Sequence, residues 1–128
     1  MSFRQTLDRH LQAIQERDLE TLMSTVAQDQ ILLITPQGEV VLSPDEFARR
    51  HREWFESPSW ILDVSPVRVV ESPALGSATL LLDYWDSPSD TPQRSLLTLI
   101  FALRDGAWVM VHDQNTRIQN AAVEARRD

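Results

Sequence analysis

Residues 94–104 read RSLLTLIFALR, and this stretch is too apolar for a strand that faces water on one side. A half-exposed strand alternates apolar and polar side chains. In this stretch, apolar residues occupy both faces: Leu96, Leu97, Leu99, Ile100, Phe101, Ala102 and Leu103. We therefore predict a β-strand that is covered on both of its faces.

The segments on either side of this strand extend it into an antiparallel sheet. Asp105-Gly106 suits a tight turn, and residues 107–115 form the next strand. Earlier strands are predicted over 60–70 and 77–86, where β-branched and aromatic residues are frequent. Consecutive strands joined by short turns predict a meander.

The first part of the chain predicts helices. Ser2 and Gln5 are spaced as a capping box, in which each side chain bonds to the backbone amide of the other residue. We expect a first helix over 3–16, because apolar residues recur there every three or four positions. Asp18 caps a second, shorter helix, whose apolar stripe continues to Val26.

A hairpin and a third helix follow. The hairpin is predicted over 30–35 and 39–42, with its turn at Pro36-Gln37-Gly38. The sequence SPDE at 43–46 then combines an N-cap serine, a proline at the first helical position and acids near the positive end of the helix dipole. We expect this third helix to end near Glu56.

Helices followed by a meander of strands give the α+β class, in which helices cover one face of an antiparallel sheet. Three helices cover only one face, so the second face either curls on itself or meets another subunit. A symmetric dimer is a common solution. We predict a homodimer that docks through the outer face of the sheet.

The composition excludes several chemistries. The sequence contains no cysteine, and its twelve basic residues are all arginine, which excludes a thiolate site, a Schiff-base lysine and the lysine of a phosphate-binding loop. Its three glycines lie far apart, so no glycine-rich loop is available for a nucleotide phosphate. The histidine spacings match no metal-ligand motif, so we expect no metal and no cofactor.

Charge and length limit the partners. The net charge of -7 disfavours nucleic acid, and no apolar run approaches the ~20 residues that span a bilayer, so we expect no membrane partner. The chain begins without an export signal, which predicts a cytoplasmic protein. Its 128 residues correspond to one domain, which we place at 1–117, followed by a polar tail over 118–128.

This order of elements resembles the nuclear-transport-factor-2-like superfamily, and within it the SnoaL-like group. The pieces that carry the resemblance are residues 11–14 and 17–19, Thr35-Pro36-Gln37-Gly38, Phe47 with His51, Glu53, Trp54 and Phe55, and residues 106–116. The resemblance implies a cystatin-like cone: a strongly curved antiparallel sheet wrapped around N-terminal helices, commonly dimeric, with a pocket at its open end. The superfamily includes isomerases, dehydratases, cyclases and members of unknown activity, so the fold does not decide the function.

His51 and Asp113 are the candidate proton carriers. His51 lies four residues after Phe47 and three before Trp54, on the apolar face of the predicted third helix. Asp113 opens the polar run 113–116 in the last strand. Histidine and carboxylate side chains perform most general acid/base catalysis. The alternative for the run is structural, because Asp, Asn and Thr also cap strands by bonding to nearby backbone.

Four further residues are predicted to contact a ligand: Trp54, Tyr84, His112 and Gln114. Two-residue alternation places His112 and Gln114 on the same face of the last strand as Trp108 and Met110. If that face is the concave one, His112 and Gln114 line the pocket and Asp113 faces the other way.

Two other polar residues have structural explanations that we favour. His10 lies on the apolar stripe of the first helix, where a histidine is usually a hydrogen-bonded core residue. Asp83 lies within the apolar stretch 80–85, where an ion pair with an arginine such as Arg104 would hold it. The alternative for Asp83 is an unpaired carboxyl with a raised pKa, suited to proton transfer.

Two functions remain open from the sequence. The first is a pocket that binds a small hydrophobic organic molecule without turnover. The second is a cofactor-independent general acid/base isomerase, cyclase or dehydratase, in which Asp113 or a histidine moves the proton. A weaker third alternative is a purely structural dimerisation module. The sequence leaves the choice between binding and catalysis undecided.

Overall fold

Three helices and a six-stranded sheet make up the fold in the computed structural model, which describes residues 1–118. The elements are α1 (Phe3–Gln15), α2 (Leu19–Ser24), β1 (Leu32–Ile34), β2 (Val40–Val41), α3 (Pro44–Glu56), β3 (Ile61–Glu71), β4 (Leu75–Trp85), β5 (Gln93–Arg104) and β6 (Ala107–Arg117). The predicted elements are all present, with ends shifted by one or two residues in most cases. Apart from Ile118, the polar tail predicted over 118–128 lies outside the described residues.

The strands are ordered β2-β1-β6-β5-β4-β3 in one curved, unclosed sheet. Strands β3 to β6 form the predicted antiparallel meander. The predicted hairpin of β1 and β2 extends this sheet, and β1 pairs with β6 in the parallel direction. The α+β class and the curved sheet are therefore confirmed, with one parallel pairing that the sequence did not predict.

Local signals start and end these elements as expected. The Ser2 hydroxyl accepts a hydrogen bond from the Gln5 amide at 3.1 Å, and the Gln5 side chain accepts one from the Ser2 amide at 2.9 Å. The Ser43 hydroxyl accepts a bond from the Glu46 amide at the start of α3. Asp105 and Gly106 both have positive φ, at 51° and 80°, which is the turn geometry that joins β5 to β6 with matching twist.

The inner face of the sheet packs against the helices. Along β5, the inward residues Ser95, Leu97, Leu99 and Phe101 are buried, whereas their neighbours on the outer face are half-buried. None of the described helices covers that outer face. The predicted cover of β5 is therefore confirmed for the inner face, and the predicted cover of its outer face stays a prediction.

One end of the cone is closed by tight packing around Phe3. Its ring lies 5.7 Å from that of Phe101 and 5.5 Å from that of Trp108, between ring centroids. Gly76 on β4 leaves room for it, because a Cβ atom at position 76 would lie 2.6 Å from the Phe3 ring. This closed end is fully buried, and it fixes α1 against the sheet.

His10 belongs to this closed end and is a core residue, as predicted. It is only 1 % exposed, and its Nδ1 atom lies 2.7 Å from the Thr25 hydroxyl. That hydroxyl donates to the Leu22 carbonyl at 2.6 Å, so His10 Nδ1 carries the proton and donates to Thr25. Burial, and secondarily the nearby His51, lower the pKa of His10 to about 3, which keeps the ring neutral.

A β-bulge in β6 changes which side chains face inward. Ile100 pairs with His112 and Phe101 pairs with Met110, so Val111 has no partner on β5. The extra residue reverses the alternation beyond it. Trp108 and Met110 point inward before the bulge, and after it Asp113 rather than His112 does so.

Candidate functional site

A cavity of about 630 Å³ opens at the end of the cone opposite Phe3. It lies between α3, the β1–β2 turn and the inner face of the sheet. Its walls are mainly apolar and include Ile14, Leu33, Leu62, Leu82 and Leu97. Polar and charged side chains also line it, and they include His51, Ser95, Asp113 and Asn115.

Asp113 is the most buried of these polar groups. It is 7 % exposed and lies on β6 between Leu33 of β1 and Leu99 of β5. Within residues 1–118, no side chain or backbone group forms a hydrogen bond or an ion pair with its carboxyl. Burial raises the pKa of Asp113 to about 7, so near neutral pH the carboxyl is present in both its protonated and ionised forms.

His51 reaches the same cavity from α3. Its Nδ1 atom lies 2.8 Å from the Phe47 carbonyl oxygen, which only accepts hydrogen bonds, so Nδ1 carries the proton. Its ring stacks on that of Phe47, with 4.0 Å between the centroids. Burial lowers the pKa of His51, although the bond to Phe47 acts in the opposite direction. His51 is therefore a neutral imidazole at pH 7, with a basic lone pair at Nε2.

Trp54 and Tyr84 form an aromatic wall of the cavity. The indole Nε1 of Trp54 donates to the Tyr84 hydroxyl at 3.1 Å, and Trp60 stacks behind Trp54 at 4.3 Å between centroids. Arg17 covers Trp60, with its guanidinium carbon 3.6 Å from the ring centre. Burial is the main cause of a raised pKa for Tyr84, so its hydroxyl stays neutral. These contacts fix the orientation of the wall.

The mouth of the cavity carries an ion pair and a second arginine bonded to a neutral side chain. Arg50 binds Glu39 at 3.2 and 3.3 Å, and Arg117 donates to the Gln93 side chain at 2.9 Å.

Deeper in, the Oδ1 atom of Asn115 is buried without a hydrogen-bond partner in the described part of the chain. Asn115 lies two residues after Asp113 on the same face of β6, so both face the cavity.

The structure brings four of the six predicted site residues to this cavity and leaves two outside it. His51, Trp54, Tyr84 and Asp113 line it. His112 and Gln114 do not, and the expectation that placed them there is corrected. The bulge at Val111 turns both onto the outer face, where His112 Nε2 lies 3.3 Å from Gln114 Oε1.

Sequence reasoning missed Asn115 and Arg50 as lining residues. Asn115 was part of the polar run but not singled out, because simple alternation assigned its neighbour Gln114 to the pocket. Assigning Asn115 to the pocket would have required a sequence signal for the bulge, and Val111 provides none. Arg50 forms an ion pair with Glu39 at the cavity rim.

Asp83 is held by an ion pair, as we favoured, but with a different arginine. Arg94, its cross-strand neighbour on β5, donates to both carboxyl oxygens at 2.9 and 3.2 Å. The suggested partner, Arg104, binds Asp29 at 3.0 Å instead. Asp83 lies on the outer face and takes no part in the cavity.

Across residues 1–118, no three His, Cys, Asp or Glu side chains come together in a way that would hold a metal ion. Within that range, no helix has the length and apolar character needed to cross a bilayer.

Comparisons with known proteins give a family and a fold. The model of the SnoaL-like domain family matches residues 3–115. A domain of unknown function with a cystatin-like fold from Nostoc punctiforme has a TM-score of 0.77 at 16% identity, covering 98% of this chain and 80% of that one. No curated protein matches the sequence significantly.

Two further solved structures show the same fold at low sequence identity. An NTF2-like protein of unknown function from Shewanella oneidensis has a TM-score of 0.72 at 21% identity, with 88% and 93% of the two chains covered. A ketosteroid isomerase-like protein from Erwinia carotovora has a TM-score of 0.74 at 16% identity, with 91% and 93% covered.

Proposed function

Because the chain belongs to the SnoaL-like domain family, we propose that its cavity binds a small, mostly apolar organic molecule. The observation that carries the proposal is Asp113, whose carboxyl is buried in an apolar wall, faces the cavity and has no partner among residues 1–118. A buried polar group without a partner is costly to folding, so its retention points to a partner that arrives with a ligand.

The size and lining of the cavity support a small-molecule ligand. About 630 Å³ is within the range of roughly 300–1,000 Å³ that ligand pockets occupy. Aliphatic side chains and the wall of Trp54 and Tyr84 supply an apolar surface, and Asp113, Asn115 and His51 supply a few polar groups that orient a ligand.

Binding is tested with the neutral apolar probe 2-acetylnaphthalene, by equilibrium dialysis. Asn115→Phe places a bulky ring in the cavity, and Gln114→Phe places the same ring on the opposite face of β6 as a matched control. We expect the wild type and Gln114→Phe to bind the probe, and Asn115→Phe to bind it at least tenfold more weakly. Equal binding by both variants would show that the probe binds elsewhere, and the proposal would fail.

A second candidate function, general acid/base catalysis, is favoured by the presence of both Asp113 and His51 in the lining of one cavity. At neutral pH the Asp113 carboxyl can give or take a proton, because burial raises its pKa to about 7. His51 presents a neutral ring whose Nε2 can accept one. An isomerase, cyclase or dehydratase needs a base that takes the proton from an acidic C–H bond and an acid that donates a proton to another atom of the substrate, such as a carbonyl oxygen or a leaving hydroxyl.

The catalytic candidate is tested by hydrogen exchange at the acidic carbon of 2-tetralone in D2O, followed by NMR. The expected result is exchange faster than in buffer, with the acceleration reduced by more than tenfold in both Asp113→Asn and His51→Ala. Full acceleration in both variants would exclude these residues as the proton carriers. Binding without any acceleration would leave the binding function as the answer.

We also propose a homodimer through the outer face of the sheet. This face has no helix over it among the described elements, and it carries exposed apolar side chains, with Val70 and Leu75 each 53 % exposed. Ile100 lies at its centre on β5, between Ser77 of β4 and His112 of β6. Water is excluded from such a face when it meets a second copy.

Sedimentation equilibrium tests the dimer. Ile100→Arg introduces a charge at the centre of the outer face, and Gln12→Arg introduces the same charge on the exposed side of α1. We expect a dimer for the wild type and for Gln12→Arg, and a monomer for Ile100→Arg. A monomeric wild type, or an Ile100→Arg variant that remains dimeric, would contradict the proposal.

A further inference from the structure

The buried polar residues of the chain differ in whether the folded protein gives them a hydrogen-bond partner. Within residues 1–118, the buried polar or charged residues are Thr6, His10, Thr25, Ser95 and Asp113. The Thr6 hydroxyl donates to a backbone carbonyl at 3.1 Å, and His10 bonds to Thr25 at 2.7 Å. Ser95 and Asp113 have no partner in the same range, and both line the cavity. The two buried polar residues that lack a partner therefore lie in one site.

The hydroxyl of Ser95 is open to this cavity. Ser95 lies on the inner face of β5 and is 9 % exposed. In the described part of the chain, the fully buried side-chain atoms without a hydrogen bond are Asn115 Oδ1 and Arg50 Nε. The Ser95 hydroxyl also lacks a hydrogen bond but is not one of these fully buried atoms. Its accessible surface faces the cavity, where a ligand atom can reach it.

A structural role does not explain Ser95. Serine hydroxyls without a ligand commonly bond to nearby backbone groups. No such bond to Ser95 forms within residues 1–118, and the next inward residues on β5, Leu97 and Leu99, are apolar. A buried hydroxyl without a partner is costly to folding, and alanine at this position would avoid the cost. We therefore look for the partner of Ser95 in the cavity.

We propose that Ser95 is a ligand-binding residue, and that the ligand carries two hydrogen-bonding groups, one for Asp113 and one for Ser95, with an apolar body between them. This inference rests on the proposed binding function and names the class of ligand. A hydroxyl and a carboxyl can each accept a hydrogen bond in every protonation state, so a ligand hydroxyl satisfies either residue. The two residues thus specify the number and the separation of the polar groups.

The register of β5 and β6 sets this separation. Ser95 pairs with Arg117, and Asp113 precedes Arg117 by four residues on β6. Four residues of a strand extend about 14 Å, at ~3.4 Å per residue. Two hydrogen bonds of about 2.8 Å that meet at one atom span about 6 Å, so one ligand atom does not bridge the two positions. Leu97 lies between them on the inner face and contacts the apolar body.

The test compares three rigid, uncharged ligands by equilibrium dialysis at pH 6: naphthalene-2,6-diol, naphthalene-2,3-diol and 6-methyl-2-naphthol. The first has a hydroxyl at each end, the second has both hydroxyls at one end, and the third replaces one hydroxyl with a methyl group. We expect the wild type to bind the 2,6-diol about fivefold more tightly than either of the others, because only this ligand reaches both residues.

Two results of this comparison would contradict the inference, and they differ in what else they overturn. Equal binding of the three ligands by the wild type would overturn the inference and leave the proposed function intact. Failure of the wild type to bind any of the three would overturn the proposed function together with the inference.

Ser95→Ala removes the hydroxyl, and Ser77→Ala is the matched control. Ser77 is half-buried on the outer face of β4, where it pairs with Ile100. We expect Ser95→Ala to bind the 2,6-diol and 6-methyl-2-naphthol equally, and Ser77→Ala to keep the fivefold preference for the diol. A preference that survives in Ser95→Ala would overturn the role of Ser95.

Urea denaturation without ligand shows whether the folded chain already bonds the Ser95 hydroxyl. Ser95→Ala should keep or raise the urea midpoint, because it removes a buried hydroxyl that has no partner. Thr25→Val is the contrasting variant, since the Thr25 hydroxyl donates to the Leu22 carbonyl and accepts from His10. We expect Thr25→Val to lower the midpoint. An equal lowering by Ser95→Ala would overturn the inference, because the hydroxyl would then have a partner within the protein.

Discussion

His10 on α1, at the closed end of the cone, and Asp113 on β6, at its open end, are both buried titratable side chains, but only His10 has a hydrogen-bond partner among residues 1–118. His10 at the closed end is bonded to Thr25 and packed edge-on against Phe101, with 5.5 Å between ring centroids. Asp113 at the open end lies beside an empty volume, and no group among residues 1–118 bonds to its carboxyl. The closed end gives its buried polar group a hydrogen-bond partner, whereas the open end leaves one without a partner among residues 1–118.

The two residues also show how one physical cause gives opposite pH responses. Burial disfavours the charged form of each. It lowers the pKa of His10, a base, to about 3, and it raises the pKa of Asp113, an acid, to about 7. Each shift becomes a dependence of stability on pH, with the loss at acid pH for His10 and at alkaline pH for Asp113. Stability measured at acid pH therefore reports on His10, and stability measured at alkaline pH reports on Asp113.

The largest expected effect is at Asp113. Its ordinary pKa of 3.8 applies to the unfolded chain, and about 7 to the folded chain, so the unfolded chain loses this proton first as the pH rises. Stability from this group is therefore full below pH 3.8, falls between 3.8 and 7, and is lower by about 4 kcal/mol at pH 8. Asp113→Asn should be more stable than the wild type by up to that amount at pH 8.

Urea denaturation at pH 5 and pH 8 measures this difference, and Asp83→Asn is its control. Asp83 is a carboxylate on the same sheet with an arginine partner. Its replacement should lower stability at pH 8 by about 1 kcal/mol or less, which is the opposite sign. If Asp113→Asn were also less stable than the wild type at pH 8, Asp113 would have a partner in the folded chain, and the contrast between the two ends would disappear.

The second-largest expected effect is a loss of folding stability at acid pH that is due to His10. The unfolded chain takes up a proton below the ordinary pKa of 6.5, whereas the folded ring resists protonation down to about 3. The wild type should thus lose about 3 kcal/mol between pH 7 and pH 4 through this residue. His10→Leu, measured by urea denaturation at both pH values, should lack this part of the loss. Parallel pH profiles for His10→Leu and the wild type would show that His10 is not held neutral.

Gly76 tests the packing of the closed end. An alanine Cβ at this position would meet the ring of Phe3, which is held between Phe101 and Trp108. Gly76→Ala should therefore lower the free energy of unfolding by about 1–3 kcal/mol. Adding Phe3→Leu to Gly76→Ala should recover part of the loss, because the shorter side chain vacates the space. Denaturation that shows additive losses in the double variant would mean that the two residues do not compete.

The closed end was more predictable from sequence than the open end. Apolar residues spaced along α1 placed His10 inside, and the capping box at Ser2 fixed where the helix begins. The open end depends on the bulge at Val111, because one unpaired residue exchanges the faces of Gln114 and Asn115. A bulge depends on how two whole strands pair. The sequence of β6 alone therefore does not predict it.

The smallest expected effect is at the aromatic wall of the open end. The Tyr84 hydroxyl accepts the Trp54 Nε1 hydrogen, so Tyr84→Phe removes one partly buried bond and should cost about 1 kcal/mol or less in urea denaturation. The same variant should bind 2-acetylnaphthalene with an affinity within about threefold of the wild type, since the ring that contacts the probe remains. A loss above tenfold would show that the hydroxyl itself contacts the ligand, and the open end would then have a polar contact beyond Asp113, Asn115 and His51. Trp54→Phe removes the donor and leaves the Tyr84 hydroxyl in place, so comparing the two variants separates the bond from the hydroxyl.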